Sequence, residues 1–200
     1  MSRKHRSILS IATVVALTLL TPTGCALLGL EEEEETTTEV ARSLSDLEGT
    51  WASSCVSDGS SGSVGNNVTV IFSGTEFTFQ IGLFIDSSCA DPMYLMQTTY
   101  NNSTAGTPTT FNDGTSGYQF AATVKAVRVT IQNSLLIAVF NSGSGTCGKT
   151  DWTLNVAGDI TGVANCGGGD IPSQGTAHAD KYKVSGTSLT LNNLGSFTKQ

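Results

Sequence analysis

The sequence predicts an all-β domain of eight or nine antiparallel strands, and three observations carry that expectation. From Asp46 onward apolar and polar residues alternate with a period of two. Clusters of Gly, Asn, Asp and Ser punctuate the alternating runs. No stretch of this region repeats its apolar residues at helical spacing between recognisable caps. Composition agrees, since 14% charged residues are too few for a coiled coil and 22 glycines in 200 residues too few for collagen. The length suits one domain rather than two.

Leu47-Glu48-Gly49-Thr50-Trp51 opens the first strand. Val68, Val70 and Phe72 then point one way, Ser73-Gly74-Thr75 turns, and Phe77, Phe79, Ile81 and Leu83 resume the alternation, which is the pattern of a hairpin. Tyr94, Met96, Thr98 and Tyr100 continue as a strand. Residues 101–117, with Pro108 and Asn112-Asp113-Gly114, read as a long loop. Tyr118, Phe120, Ala122 and Val124 alternate in one phase and Val127, Val129 and Ile131 in the other, so a bulge is expected between Lys125 and Arg128. After a turn at Gln132-Asn133-Ser134, the unbroken apolar run from Leu135 to Phe140 reads as a strand buried on both faces, and Trp152, Leu154 and Val156 as another. Cys166-Gly167-Gly168-Gly169 and Pro172 mark a second long loop. Tyr182 and Val184, a turn at Ser185-Gly186-Thr187, and Leu189 and Leu191 form a closing hairpin. Barrel and β-sandwich both bury one face of every strand, so the alternation leaves the two open.

Upstream of the domain, Arg3, Lys4 and Arg6 precede residues 8–20, thirteen positions without a charge, and this is the layout of a secretory signal, too short to span a bilayer as a helix of ~20 residues would. Thr21-Pro22-Thr23-Gly24-Cys25 follows and resembles the lipobox of bacterial lipoproteins, with Pro22 where lipoboxes usually carry Leu, Val or Ile. The resemblance implies a signal peptide over 1–24, acylation of Cys25 and, with Ala26 next to it, sorting to the outer membrane. Residues 25–45 then read as the lipidated cysteine and an unfolded acidic tether, for Glu31 to Glu35 form a charge run without apolar periodicity. Twenty extended residues reach up to about 65 Å, and several acyl chains anchor where one does not. Loss of the three signal cations leaves seven Lys and Arg against seventeen acids, so the mature chain carries -10. A chain of this charge, with pI near 4.6 and no basic patch, is not expected to bind nucleic acid.

Within residues 46–200, Leu47-Glu48-Gly49-Thr50-Trp51 and the segment from Tyr182 to Leu191 resemble the Gly-x-Trp opening strand and closing hairpin of lipocalin-like domains, and Thr50-Trp51 to Cys55 with Asp86 to Cys89 is similar to such domains in secreted bacterial lipoproteins. The resemblance implies a barrel with Trp51 plugging its floor. Lipocalins place an arginine near the end to pack across that tryptophan, whereas Lys199 is the late cation here. Setting Cys25 aside leaves an even set, Cys55, Cys89, Cys147 and Cys166, whose spacings of 34, 58 and 19 lack any Cys-x-x-Cys. Export favours disulfides over metal. Three pairings exist, and Cys55 with Cys89 and Cys147 with Cys166 is preferred, because each closes a short loop near strand ends and the first joins the two segments that carry the likeness.

Other motifs carry no chemistry. Gly143-Ser144-Gly145-Thr146-Cys147-Gly148-Lys149-Thr150 spells a P-loop, yet the residues after Lys149 alternate like a strand where a phosphate cradle needs a helix N-terminus. His178, the single histidine of the mature chain, reads as solvent-facing. No Gly-x-Ser-x-Gly occurs, and the spacing of Asp151, Asp159, Asp170 and Asp180 recommends no acid–base pair. Asn67-Val68-Thr69 and Asn102-Ser103-Thr104 match the glycosylation acceptor by accident. No catalytic residue, cofactor or metal site is expected. The expected function is binding of a small apolar ligand or envelope component in a pocket lined by Phe77, Phe79, Tyr94 and Phe120. The alternative is a structural or adhesive surface lipoprotein whose loops, 101–117 and 166–175, contact a protein.

Overall fold

The computed structural model describes residues 42–57 and 64–200; the signal, Cys25 and most of the acidic tether lie outside the described residues. Nine strands follow in order: β1 (Gly49–Ala52), β2 (Gly65–Ser73), β3 (Glu76–Phe84), β4 (Pro92–Thr110), β5 (Ser116–Ile131), β6 (Ala157–Asp159), β7 (Ala177–Ser185), β8 (Ser188–Leu191) and β9 (Gly195–Lys199). One helix, α1 (Ser134–Phe140), follows β5, and a 3-10 turn over Leu44–Asp46 precedes β1. All pairings are antiparallel. β9 joins β1, and β4 joins β5, so eight strands close into a barrel in the order β1-β2-β3-β4-β5-β7-β8-β9 while β6 lies beside β7 on the same edge of β5. The sandwich alternative is thereby excluded.

Register explains the core. Directly paired residues share a face, so Trp51, Val70, Phe72 and Phe77 of β1–β3 and Phe120, Tyr182, Leu189 and Phe197 of β5 and β7–β9 all point inward, each at most 2% exposed. The phase change in β5 is a bulge, because Val124 pairs with Tyr100 and Ala126 with Thr99, leaving Lys125 extra. Val124, Val127, Val129 and Ile131 therefore keep one face despite the break in sequence period, and they are all buried.

Three expected elements differ. Residues 101–117 are mostly strand: β4 runs to Thr110 through further register shifts at residues 101–107, and only 111–115 form the turn. Leu135 to Phe140 is helical, capped by the Asn133 side chain, which accepts from the Leu135 amide at 2.9 Å. Trp152 to Val156 forms no strand; β6 begins just after it. The sequence around these positions holds a repeat of conformation. Gly145 and Asn165, Cys147 and Gly167, Gly148 and Gly168, and Asn155 and Gly175 all have positive φ, each pair 20 residues apart. In each unit the last member donates to β5, Asn155 to Ile131 and Gly175 to Val124, both at 2.8 Å. The two units thus deliver β6 and β7 in turn to one strand. A second core forms there from Val127, Val129, Ile131, Trp152 and Ile160, with Leu136, Ile137 and Phe140 of α1 packed against it.

Candidate functional site

The two ends of the barrel differ in how they are finished. At the base lie the start of β1, the β2–β3 and β7–β8 turns and the 3-10 turn. Leu47 and Trp51 are fully buried there, and the indole nitrogen donates to the Leu47 carbonyl at 2.7 Å. Lys199 holds its ammonium 5.0 Å from the Trp51 ring centroid, so the late cation does cover the tryptophan. Tyr182 is sealed beside them. Burial, aided by the nearby negative charge of Asp46, pushes its phenol up to about 12.

The opposite end is a mouth with an uneven rim. β1 and β8 have 4 residues and β9 has 5, whereas β2 and β3 have 9, and β4 from Pro92 to Tyr100 and β5 from Val124 to Ile131 continue that wall, the rest of β4 and β5 running toward the base. Beyond the short strands, the inner face of the β4–β5 wall is met not by a strand but by the second core, in which Trp152, Ile160 and Phe140 of α1 pack against Tyr94, Met96 and Val124 to Ile131. On the β2–β3 side Val68, Phe79, Ile81 and Leu83, which the register turns inward, stay half-buried. Of the four aromatic residues expected to line a pocket, Phe79 is on this half-buried wall, and Tyr94 packs against the Phe140 ring of α1 at 5.9 Å. Phe77 and Phe120 pack edge to face at 5.3 Å and fill the lower barrel, and Phe77 stacks on Tyr100 at 4.2 Å. An eight-stranded barrel is just wide enough for such filling.

His178 also departs from expectation. It pairs with Ala122, whose side chain is buried, so it faces inward and sits 5.0 Å from Tyr100 and 5.7 Å from Phe120 by ring centroids. Burial lowers its pKa, and the Asp180 carboxylate partly opposes that. Asp180 shares the same face. Its Oδ1 accepts from the Lys181 amide and from Asn193 Nδ2, while Oδ2 is sealed without a partner. The period-two argument had no means of finding either residue, since Ala177-His178-Ala179-Asp180 alternates small with polar and not polar with apolar.

Cys55–Cys89 and Cys147–Cys166 are both disulfides, with Cα separations of 5.9 and 4.5 Å, as preferred from the spacing. The first ties the end of β1 to the β3–β4 loop at the mouth. In that loop Asp86 accepts from the amides of Ser88, Ala90 and Asp91 and from the Ser88 hydroxyl, which together hold its carboxyl well below the usual range. The P-loop string closes as a tight turn, with Lys149 paired to Asp151 at 3.0 Å and lying over the Trp152 ring, and it is followed by irregular chain. The four aspartates do not converge: Asp159 is held by Thr161, Asp170 by the Asn165 amide, and Asp180 is inside the barrel.

Every large exposed hydrophobic among the described residues belongs to the mouth end. Val56, Val64 and Ile85 flank the first disulfide, Leu135 and Val139 stand on the outer side of α1 at 79% and 60% exposure, Leu154 and Val156 precede β6, and Leu194 lies in the β8–β9 turn. A separate cavity of about 350 Å³ lies on the outer wall of β4, β5 and β7, lined chiefly by Thr104, Thr107, Gln119, Ala121 and Lys181; Phe120 alone of the expected aromatics borders it. No protein-family model matches the chain, and no curated protein matches it.

Proposed function

We propose that the chain is a lipid-anchored, extracytoplasmic, lipocalin-like module that binds a small apolar molecule or an apolar envelope component at its mouth. The observation that carries the reading is the polarity of the barrel. The base is plugged and sealed, whereas toward the mouth Val68, Phe79, Ile81 and Leu83 of the inner wall are only half-buried and the large exposed hydrophobics are gathered at that end. Scattered exposed hydrophobics need no explanation, but a set gathered at one end marks a binding surface. The lipocalin-like reading is supported by the Gly49-Thr50-Trp51 entry, the closure of eight strands and the Lys199 ammonium over Trp51. Two disulfides suit an oxidising compartment, and Cys25 in its lipobox-like setting supports an anchor in the outer membrane.

The test uses the mature chain secreted with Cys25→Ser, which removes acyl chains and leaves residues 46–200 intact. Saturable fluorescence enhancement of N-phenyl-1-naphthylamine, or a lipid retained in native mass spectrometry, supports the reading; absence of both overturns it. Labelled palmitate that fails to enter the wild-type chain overturns the anchor. A second reading, docking of a protein partner, has one specific observation in its favour: Leu135 and Val139 project from the exposed side of α1, away from the Leu136, Ile137 and Phe140 side that packs against the second core. A bare mass together with a protein cross-linked at α1 would favour that reading.

A further inference from the structure

At the mouth the ligand would meet apolar wall almost everywhere, and a hydrogen-bonding group is needed to fix its orientation. His178 is at the start of β7, where the barrel wall is notched. β8 reaches only to Leu191, opposite Tyr182, and one further backbone bond joins Asn192 to Lys181, so no strand flanks His178 on that side. Across the other edge its partner is Ala122, whose small side chain is buried in the core. The ring is wedged among Phe77, Tyr100 and Phe120 at 6.1, 5.0 and 5.7 Å.

Neither ring nitrogen has a hydrogen-bond partner among the described residues. The sealed polar atoms without partners are Ser103 Oγ, Asp180 Oδ2 and Tyr182 OH, so the His178 nitrogens are not sealed off and remain open to solvent. A half-buried imidazole held by aromatic packing, with one donor and one acceptor both unused, is an unspent recognition group on an otherwise apolar wall. We infer that His178 is the head-group contact of the apolar site, and that the ligand is a long apolar molecule ending in a neutral hydrogen-bonding group such as a primary alcohol. This rests on the binding function proposed above.

The charge of the head group follows from what faces it. Asp180, two residues along on the same inner face, keeps a carboxylate oxygen without a partner, so a ligand carboxylate would meet like charge in a poorly solvated place. A ligand ammonium is attracted by that charge but can make no hydrogen bond to the sealed oxygen, and it gives up its own water against an apolar wall. Tyr100 and Tyr94, the other titratable groups on the facing wall, are uncharged, their phenols raised by burial. A neutral hydroxyl can donate to one nitrogen of His178 or accept from the other without either penalty.

The experiment measures displacement of N-phenyl-1-naphthylamine from the Cys25→Ser mature chain by dodecan-1-ol, dodecanoate and dodecylammonium. The alcohol is expected to bind most tightly. His178→Phe keeps the ring among its aromatic neighbours and removes both nitrogens, and should weaken the alcohol about fivefold more than it weakens the dye, as loss of one hydrogen bond does. His178→Gln, which restores a donor and an acceptor, should recover part of the loss. Tighter binding of the acid or the amine, or an alcohol affinity unchanged in His178→Phe, overturns the assignment while dye binding leaves the apolar site standing. Failure of the dye itself to bind removes both.

Discussion

Trp51 shows how one side chain can be over-determined. Its ring is fully buried, its nitrogen donates to the Leu47 carbonyl, and its face carries the Lys199 ammonium. Trp51→Phe keeps most of the apolar volume but leaves the buried Leu47 carbonyl unsatisfied, so a loss of about 1–3 kcal/mol is expected in urea unfolding. Trp51→Ala also opens a cavity and should cost about 3–5 kcal/mol. If the phenylalanine variant is as stable as wild type, the hydrogen bond contributes nothing. Asp86 works by charge at an exposed loop. Its carboxyl is depressed by the Ser88 hydroxyl first and then by the backbone amides of residues 88–91. A depressed acid contributes stability in full above its unfolded value of 3.8, and that contribution fades as pH falls toward the folded value. The difference in urea midpoint between wild type and Asp86→Asn should therefore hold constant from pH 7 to about pH 4 and narrow in stronger acid. A gap that stays the same at pH 2.5 would show that the loop is held by shape alone.

Among the elements, the legible ones bury one face against the other face's water. β2 and β3 show this, with Val68, Val70 and Phe72 against Phe77, Phe79 and Ile81, and the same logic located the bulge at Lys125, where the period of β5 breaks. Where both faces carry the same polarity the period vanishes. The second half of β4 is Asn, Thr, Ser and Gly on both sides, so it reads as loop although its backbone pairs with β5 as far as Thr110. Leu135 to Phe140 is apolar at every position, which suits a doubly buried strand or a helix equally, and the decisive signal was the cap at Asn133. The mouth was illegible for another reason: its unequal strand lengths arise from the pairing of distant segments, and no local pattern encodes them. The disulfides could be read, because four cysteines admit few pairings. Cys147–Cys166 closes the loop that holds Trp152, β6 and Ile160, so the paired change Cys147→Ser with Cys166→Ser should cost about 3 kcal/mol on the chain-entropy account. Amide exchange should rise first at Trp152 and Ile160, around the second core, before the strands that bury Trp51 and Tyr182 respond. Uniform loss of protection across both cores would show that they unfold as one.

For the whole molecule the main physical fact is its two unlike ends. Folding alone does not require this, since an eight-stranded barrel can be filled from end to end. The base follows that solution, with Leu47, Trp51, Val70 and Leu189 all at 0% exposure. At the mouth the second core fills the β4–β5 side only, and the apolar side chains left around it sit where water reaches them at a cost of about 25 cal/mol for each Å² of apolar surface uncovered. If the collar served stability, its residues would make contacts whose loss is measurable; if it serves binding, they can be changed at little cost to the fold. Leu135 and Val139 separate these cases, because they are four residues apart on the outer side of α1 while Leu136, Ile137 and Phe140 take its packed side. The double change Leu135→Ser with Val139→Ser should move the unfolding free energy by no more than about 0.5 kcal/mol, as exposed positions do. It should also lower retention on a phenyl-agarose column. Replacement of Phe79 and Met96 by serine instead reaches the inner wall, and there binding of N-phenyl-1-naphthylamine should fall even where the fold persists. A collar variant that binds the dye less while the inner-wall variant binds it normally would place recognition outside the barrel, and would transfer the function from a seated small molecule to a docked protein.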